Sequence, residues 1–162
     1  RRAALSPTVP TSGGGQAILL DVGANVDCTA EYLIQFAFMG YAYAKYALKL
    51  DNPRVGLLNN GAEETKGTEL QLEAYKLLSE SPSLNFVGNI EANMVPKDAC
   101  DVLVTDGFTG NILLKSIEGM GKMMLRTMKD IFYANIKAKV SALLIKKKLD
   151  EVKNESEVTF NV

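Results

Sequence analysis

Asp101-Val102-Leu103-Val104-Thr105-Asp106-Gly107-Phe108-Thr109-Gly110-Asn111 runs from apolar residues into a turn carrying two glycines and then into a helical pattern. A short apolar run bounded by polar residues reads as a strand covered on both faces, the kind found in parallel sheets. Beyond it Leu114, Ile117, Gly121, Met124, Met128 and Ile131 recur every three or four positions, which predicts a helix from Asn111 to about Phe132. Strand, glycine turn and helix in succession form the repeating unit of α/β folds.

Working upstream, the same alternation returns. Ala17 to Leu20, Arg54 to Asn59 and Leu84 to Gly88 are further strand candidates, each ending in polar or glycine-containing residues. Between them, Leu33, Phe36, Ala37, Gly40, Ala44 and Leu48 share one helical face, with Thr29 as N-cap and Glu31 set against the helix dipole. Leu70, Ala74, Leu77 and Leu78 mark a second helix that Ser81-Pro82 closes. The order β-α-β-α-β-β-α predicts a mostly parallel sheet flanked by helices, with ligands gathering beyond the carboxyl ends of its strands. The first fifteen residues, with Pro7, Pro10 and Gly13-Gly14-Gly15, read as an irregular lead-in, a phosphate-cradling loop being the weaker alternative.

The expected organisation is one α/β domain or a fragment of one. Residues 1–110 form the sheet part, 111–149 a helical pair whose second member runs from about Asn135 to Leu149, and 150–162 an atypical tail. Charge divides along the same lines. Residues 3–110 carry six Lys or Arg against thirteen acids, while 111–149 carry nine against two, including Lys146-Lys147-Lys148. That basic block suits an acidic partner or an anionic surface.

The 162 residues contain no histidine and two cysteines, Cys28 and Cys100. This excludes Ser-His-Asp triads, Cys-His dyads and the usual zinc constellations, and both thiols are expected to be reduced and structural. The remaining toolkit of lysine, amides, hydroxyls, carboxylates and backbone N–H groups suits phosphate chemistry and stabilisation of an oxyanion. With no long apolar run and no apolar core near Arg1, the expectation is a cytoplasmic protein without a membrane span.

Four strand-end turns carry the candidate site. Asp106 to Asn111 offers Gly107, Thr109, Gly110 and Asn111 as donors at a helix start, the bland alternative being an ordinary turn whose Asp and Thr satisfy its own backbone. Asn59 to Lys66 holds Asn59 and Lys66, Gly88-Asn89-Ile90-Glu91 holds Asn89, and Asp21-Val22-Gly23-Ala24-Asn25 holds Asn25. Polar residues repeated at converging strand ends are expected to share one pocket.

These turns, with Asn52-Pro53-Arg54-Val55-Gly56-Leu57-Leu58-Asn59 and Glu63-Glu64-Thr65-Lys66-Gly67, resemble the PlsX family of phosphate acyltransferases of bacterial phospholipid synthesis. The resemblance covers about Arg1 to Leu149 and implies a central-to-C-terminal fragment of a longer chain. It implies a three-layer α/β/α fold related to isopropylmalate and isocitrate dehydrogenases, a protruding helical pair, a homodimer and peripheral membrane contact. The implied activity is transfer of a fatty acyl group from acyl carrier protein to inorganic phosphate, giving acyl phosphate, with neither cofactor nor metal and no nucleic acid. On this reading Lys66, Asp106 and Asn111 are catalytic, and Asn25, Asn59, Asn89, Gly107, Thr109 and Gly110 bind substrate or phosphate. The alternatives are a short-chain transferase using coenzyme A and a non-catalytic module that binds carrier protein or membrane.

Overall fold

The computed structural model describes residues 3–133. The expected helix over 135–149, its lysine run and the tail lie outside the described residues. The chain divides into two compact units, Arg1–Leu113 and Leu114–Val162.

The first unit is built on strands β1 (Thr8–Pro10), β2 (Gln16–Leu20), β3 (Arg54–Asn59), β4 (Asn85–Glu91) and β5 (Val102–Val104), which form one sheet in the order β1-β2-β5-β3-β4. Only β1 is antiparallel; β2, β5, β3 and β4 all run the same way. The mostly parallel sheet expected from the sequence is therefore present. Its helices are α1 (Ala30–Tyr46) and α2 (Glu69–Ser79), with a 3₁₀ segment over Ala92–Lys97, and the first residues of α3 (Gly107–Tyr133), most of which belongs to the second unit.

Strand alternation sorts the core into two sides. Ile18, Leu20, Val55, Leu57, Val102 and Val104 join Leu33, Phe36 and Ala37 of α1 and Ala74 and Leu78 of α2 in one buried cluster. Leu19, Leu58 and Leu103, which point the other way, are buried as well. Both faces of the sheet are thus shielded, and this is why its strands read as unbroken apolar runs.

Several boundaries differ from those the sequence predicts. Thr8–Pro10 is a strand, joined to β2 by a hairpin in which Thr11 N–H donates to the Gly15 carbonyl at 3.0 Å. Gly13 to Gly15 therefore lie at the start of β2, at the opposite edge from the strand ends where anions would gather. Helix α1 ends at Tyr46, so Leu48 falls outside it and is exposed. Thr29 occupies the N-cap position, but its hydroxyl engages the Glu31 carboxylate instead of the backbone and holds that carboxyl below its usual range. Helix α3 begins at Gly107, four residues before the expected Asn111. Along α3, Leu114 is buried, whereas Met124 and Ile131 are exposed. Among the described residues no helix is long and apolar enough to cross a membrane. Cys28 and Cys100 form no disulfide, and burial pushes the Cys100 thiol up to about 12, an inert side chain.

An ion-pair clasp closes the edge where β3 and β5 begin. Arg54 donates Nε to Asp101 Oδ2 at 3.1 Å and Nη2 to Asp101 Oδ1 at 2.9 Å, while Nη1 reaches the Asp98 carbonyl at 2.8 Å. Burial alone would raise the Asp101 pKa, but the hydrogen bonds and charge of Arg54 outweigh it, so the carboxyl sits below its ordinary value. A carboxyl depressed in the folded state stabilises the fold fully above its unfolded pKa of about 4, and that contribution is lost as pH falls through the folded value. Urea midpoints measured against pH should therefore stay level above about pH 5 and fall below about pH 4, and Asp101→Asn should lower the plateau and flatten the acid limb. An unchanged acid limb in Asp101→Asn would show that the clasp does not set the acid sensitivity.

Candidate active site

The carboxyl ends of four parallel strands deliver two clusters to one edge. The first joins the turn after β2 to the start of α3. Asp21, fully buried, directly follows β2 and works as an anchor for its own turn. Its Oδ1 accepts the N–H groups of Leu5 at 2.8 Å and Val22 at 2.7 Å; its Oδ2 accepts Asn25 N–H at 2.6 Å and Asn25 Nδ2 at 3.0 Å. Burial would raise the Asp21 pKa, but these four donors more than offset it, and the carboxyl is held below its usual range. Strand-end patterning alone assigns Asp21 no role. The signal that marks it is an acid placed directly at a strand end ahead of a tight Gly-Ala-Asn turn.

Asn25 is buried and its donors are spent inside the protein, on Asp21 and on the Ala3 carbonyl at 2.9 Å. Its own carbonyl accepts Gly107 N–H at 2.8 Å, which ties the turn to α3. That approach requires glycine. A Cβ at Gly107 would stand 2.5 Å from the Asn25 carbonyl oxygen, and one at Gly110 would overlap the Asp21 carbonyl.

Asp106 caps α3, its Oδ1 accepting Thr109 N–H at 2.8 Å and its Oδ2 the Thr109 hydroxyl at 2.7 Å. Gly110 N–H closes the first helical bond onto the Asp106 carbonyl at 3.0 Å. The backbone donors of Gly107, Thr109 and Gly110 are thus committed within the protein, as in an ordinary turn that satisfies its own backbone. Asn111 is exposed and lies against Gly23, its Cγ 3.9 Å from where a Cβ of that glycine would be. Its amide is the exposed donor that this cluster offers a ligand, since the Thr109 hydroxyl already donates to Asp106.

The second cluster is the loop after β3 with the end of β4. Asn59 Nδ2 donates to the Lys66 carbonyl at 3.0 Å, and Asn59 Oδ1 accepts Asn60 N–H at 2.8 Å. Buried Asn89 donates Nδ2 to the Glu63 carbonyl at 2.8 Å. Lys66 itself is exposed and forms no ion pair among the described residues. The clusters follow neighbouring strands, β5 and β3: Val104 pairs with Leu57, and Asp106 and Asn59 each follow two positions later. Lys115 belongs to the second unit and pairs with Glu118 at 3.1 Å. A groove of about 460 Å³ between α2 and β4, lined by Tyr75, Leu78, Pro82 and Phe86 among others, contains none of the candidate residues.

An exposed cation on a fixed loop and the exposed amide of Asn111, with the buried carboxylates of Asp21 and Asp106 turned inward as braces, form an arrangement that can hold an anion. The family model for fatty acid synthesis proteins matches residues 1–161. The chain belongs to this family. Among members of the fatty acid synthesis family, it is 45% identical over 156 residues to a phosphate acyltransferase of Bacillus subtilis, covering 96% of this chain and 47% of that protein. To the phosphate acyltransferase of Listeria welshimeri it is 47% identical over 152 residues, covering 94% of this chain and 45% of that protein. The chain thus spans about half the length of the curated relatives it matches. Among solved structures, the EutD phosphotransacetylase from Staphylococcus aureus superposes with a TM-score of 0.56 at 18% identity, over 75% of this chain and 43% of that one. A branched-chain phosphotransacylase from Enterococcus faecalis gives 0.53 at 20% identity, over 72% of this chain and 50% of that one. These two share its fold, so the α/β class expected from the sequence holds.

Proposed function

We infer that this chain supplies part of the active site of an enzyme that transfers a fatty acyl group from acyl carrier protein to inorganic phosphate. The carrying observation is that relatives named phosphate acyltransferase match nearly the whole chain at 45% and 47% identity. Phosphate is already nucleophilic at neutral pH, so a chain without histidine needs no further base. A phosphate oxygen attacks the thioester carbonyl, the carbon–sulfur bond breaks, and the thiolate leaves and takes a proton from solvent. Lys66 and Asn111 hold the phosphate, and Asp106, which accepts the Thr109 hydroxyl, keeps Thr109 and the start of α3 in place. Asn25 and Asn59 brace the two turns from within. Each preorganised donor to the developing oxyanion is worth roughly 3 kcal/mol.

The same reading makes the enzyme a cytoplasmic homodimer that touches the membrane peripherally and feeds acyl phosphate to phospholipid synthesis. Exposed Met120, Met123, Met124 and Ile131 on α3 support a surface that meets a second copy or lipid.

The test is release of free thiol with long-chain acyl carrier protein and with short coenzyme A thioesters, each with and without phosphate. The full-length protein containing this chain should release thiol only with phosphate and prefer the carrier protein, and residues 1–162 alone should turn over far more slowly. Preference for the short coenzyme A thioesters would replace the donor assignment, and thiol release independent of phosphate would overturn the reading.

A further inference from the structure

The two ends of the Asn89 amide have unequal fates. The residue is 6% exposed; Nδ2 donates to the Glu63 carbonyl at 2.8 Å, and Oδ1 is buried with no partner among the described residues. A buried acceptor left unpaired is a cost that an apolar side chain of similar size avoids, so the amide at this position is explained by what its donor holds.

The sheet is bent to put it there. Val55 pairs with Phe86 but Leu57 pairs with Asn89, so Val87 and Gly88 together stand opposite Gly56, with Gly88 at φ +92°. One extra residue in a strand turns the side chains after it to the other face, and such bulges recur beside functional sites because they re-aim a side chain. Here the bulge sets Asn89 on the same side as Leu57, against the loop that follows β3.

What Asn89 grips is the main chain on one side of Lys66. The Glu63 carbonyl that it binds also accepts Lys66 N–H at 3.1 Å, while Asn59 holds the Lys66 carbonyl at 3.0 Å. The Tyr75 hydroxyl adds a third tie, to Glu64 Oε1 at 3.0 Å. The backbone on either side of Lys66 is therefore fixed from two strands, and its side chain is left exposed.

We propose that Asn89 is a positioning residue for Lys66, acting through the Glu63 carbonyl to fix the loop that presents the lysine to phosphate, and not a ligand of phosphate itself. This rests on the reading that Lys66 meets phosphate. The experiment titrates the full-length protein containing this chain with inorganic phosphate by calorimetry, in parallel with hydrogen exchange of the loop over residues 60–66. The variants are Asn89→Leu, Asn89→Ala, Lys66→Ala and the Lys66→Ala/Asn89→Leu double. Asn89→Leu should speed exchange of the Lys66 amide and weaken phosphate binding about tenfold, with melting close to the parent's, because it also removes the unpaired oxygen. Asn89→Ala, which cannot overfill the site, carries the same test if the leucine variant does not fold. In the double variant Asn89→Leu should cost nothing beyond Lys66→Ala, since a residue that acts through the lysine has nothing left to position. Additive losses in the double, or parental phosphate affinity in both Asn89 variants, would overturn the proposal while Lys66→Ala still weakens binding. Parental affinity in Lys66→Ala would overturn the functional reading and this inference with it.

Discussion

Asp21→Asn should cost about 3 kcal/mol of folding stability. The carboxylate accepts two donors on each oxygen, and the substitution replaces one of these oxygens with an NH2 group facing two N–H donors. Hydrogen bonds to a charged partner contribute about 1.5–3 kcal/mol each, and losses within one network are less than additive, which sets the expected value at about the size of two lost bonds less their overlap. The site is fully buried, so water cannot replace the missing partners. Urea unfolding should show a lower midpoint with an unchanged slope. Because Asn25 is held by Asp21 and its carbonyl receives Gly107 N–H, the start of α3 should loosen together with the turn, visible as faster exchange of the Gly107 amide. A variant within 0.5 kcal/mol of the parent, a tolerance of about the size of ordinary surface substitutions, would show that the turn is held by other means.

Gly110→Ala sets two effects of opposite sign against each other. Helix propensity favours alanine by about 1 kcal/mol. Steric fit opposes it, because the added methyl meets the Asp21 carbonyl and stands 2.7 Å from Thr105 Cγ2. The main obstacle is backbone, which cannot swing aside as a flexible side chain would, and overpacking of this kind costs roughly 3 kcal/mol. The steric term wins, and the variant should be destabilised by about 2 kcal/mol or more by thermal or urea melting. Gly119→Ala is the matched control on the same helix: it is exposed and a Cβ there meets nothing within 4 Å. That variant should be stabilised by up to about 1 kcal/mol. If both glycines respond alike, the close approach of α3 to the end of β2 is not what fixes residue 110.

The parallel sheet is legible in the sequence because it is buried on both faces: β2, β3 and β5 are continuous apolar runs, and a short run of that kind with polar residues at its end fits little besides a covered strand. β1 is not legible. Three residues, one of them Pro10, carry no period, and the strand exists because it pairs with β2 in a short hairpin. The start of α3 is obscured for a related reason. Gly107 and Gly110 are poor helix formers and look like turn residues, but they are glycines because the helix approaches the carbonyls of Asn25 and Asp21. The same crowding hides the fate of the donors in that turn, since partners from a segment more than eighty positions upstream, as when Gly107 meets Asn25, leave no mark on local spacing. The polar strand ends are visible as composition. Which of them face inward as braces, such as Asn25 and Asn89, and which remain exposed, such as Lys66 and Asn111, is decided by packing.

The strand order also governs how the molecule must come together in time. β5, the last strand among the described residues, sits between β2 and β3, and these two make no ladder with each other. Until Val102 to Val104 slot in, a nascent chain has two separate sheet pieces with unpaired inner edges, the β1–β2 hairpin and the β3–β4 pair. Each insertion contact closes a long loop, from Ile18 to Val102 on one side and from Val55 to Val102 on the other. Such late, non-local zipping slows folding and prolongs exposure of sticky edges. Completion of this sheet therefore waits on the arrival of one three-residue strand.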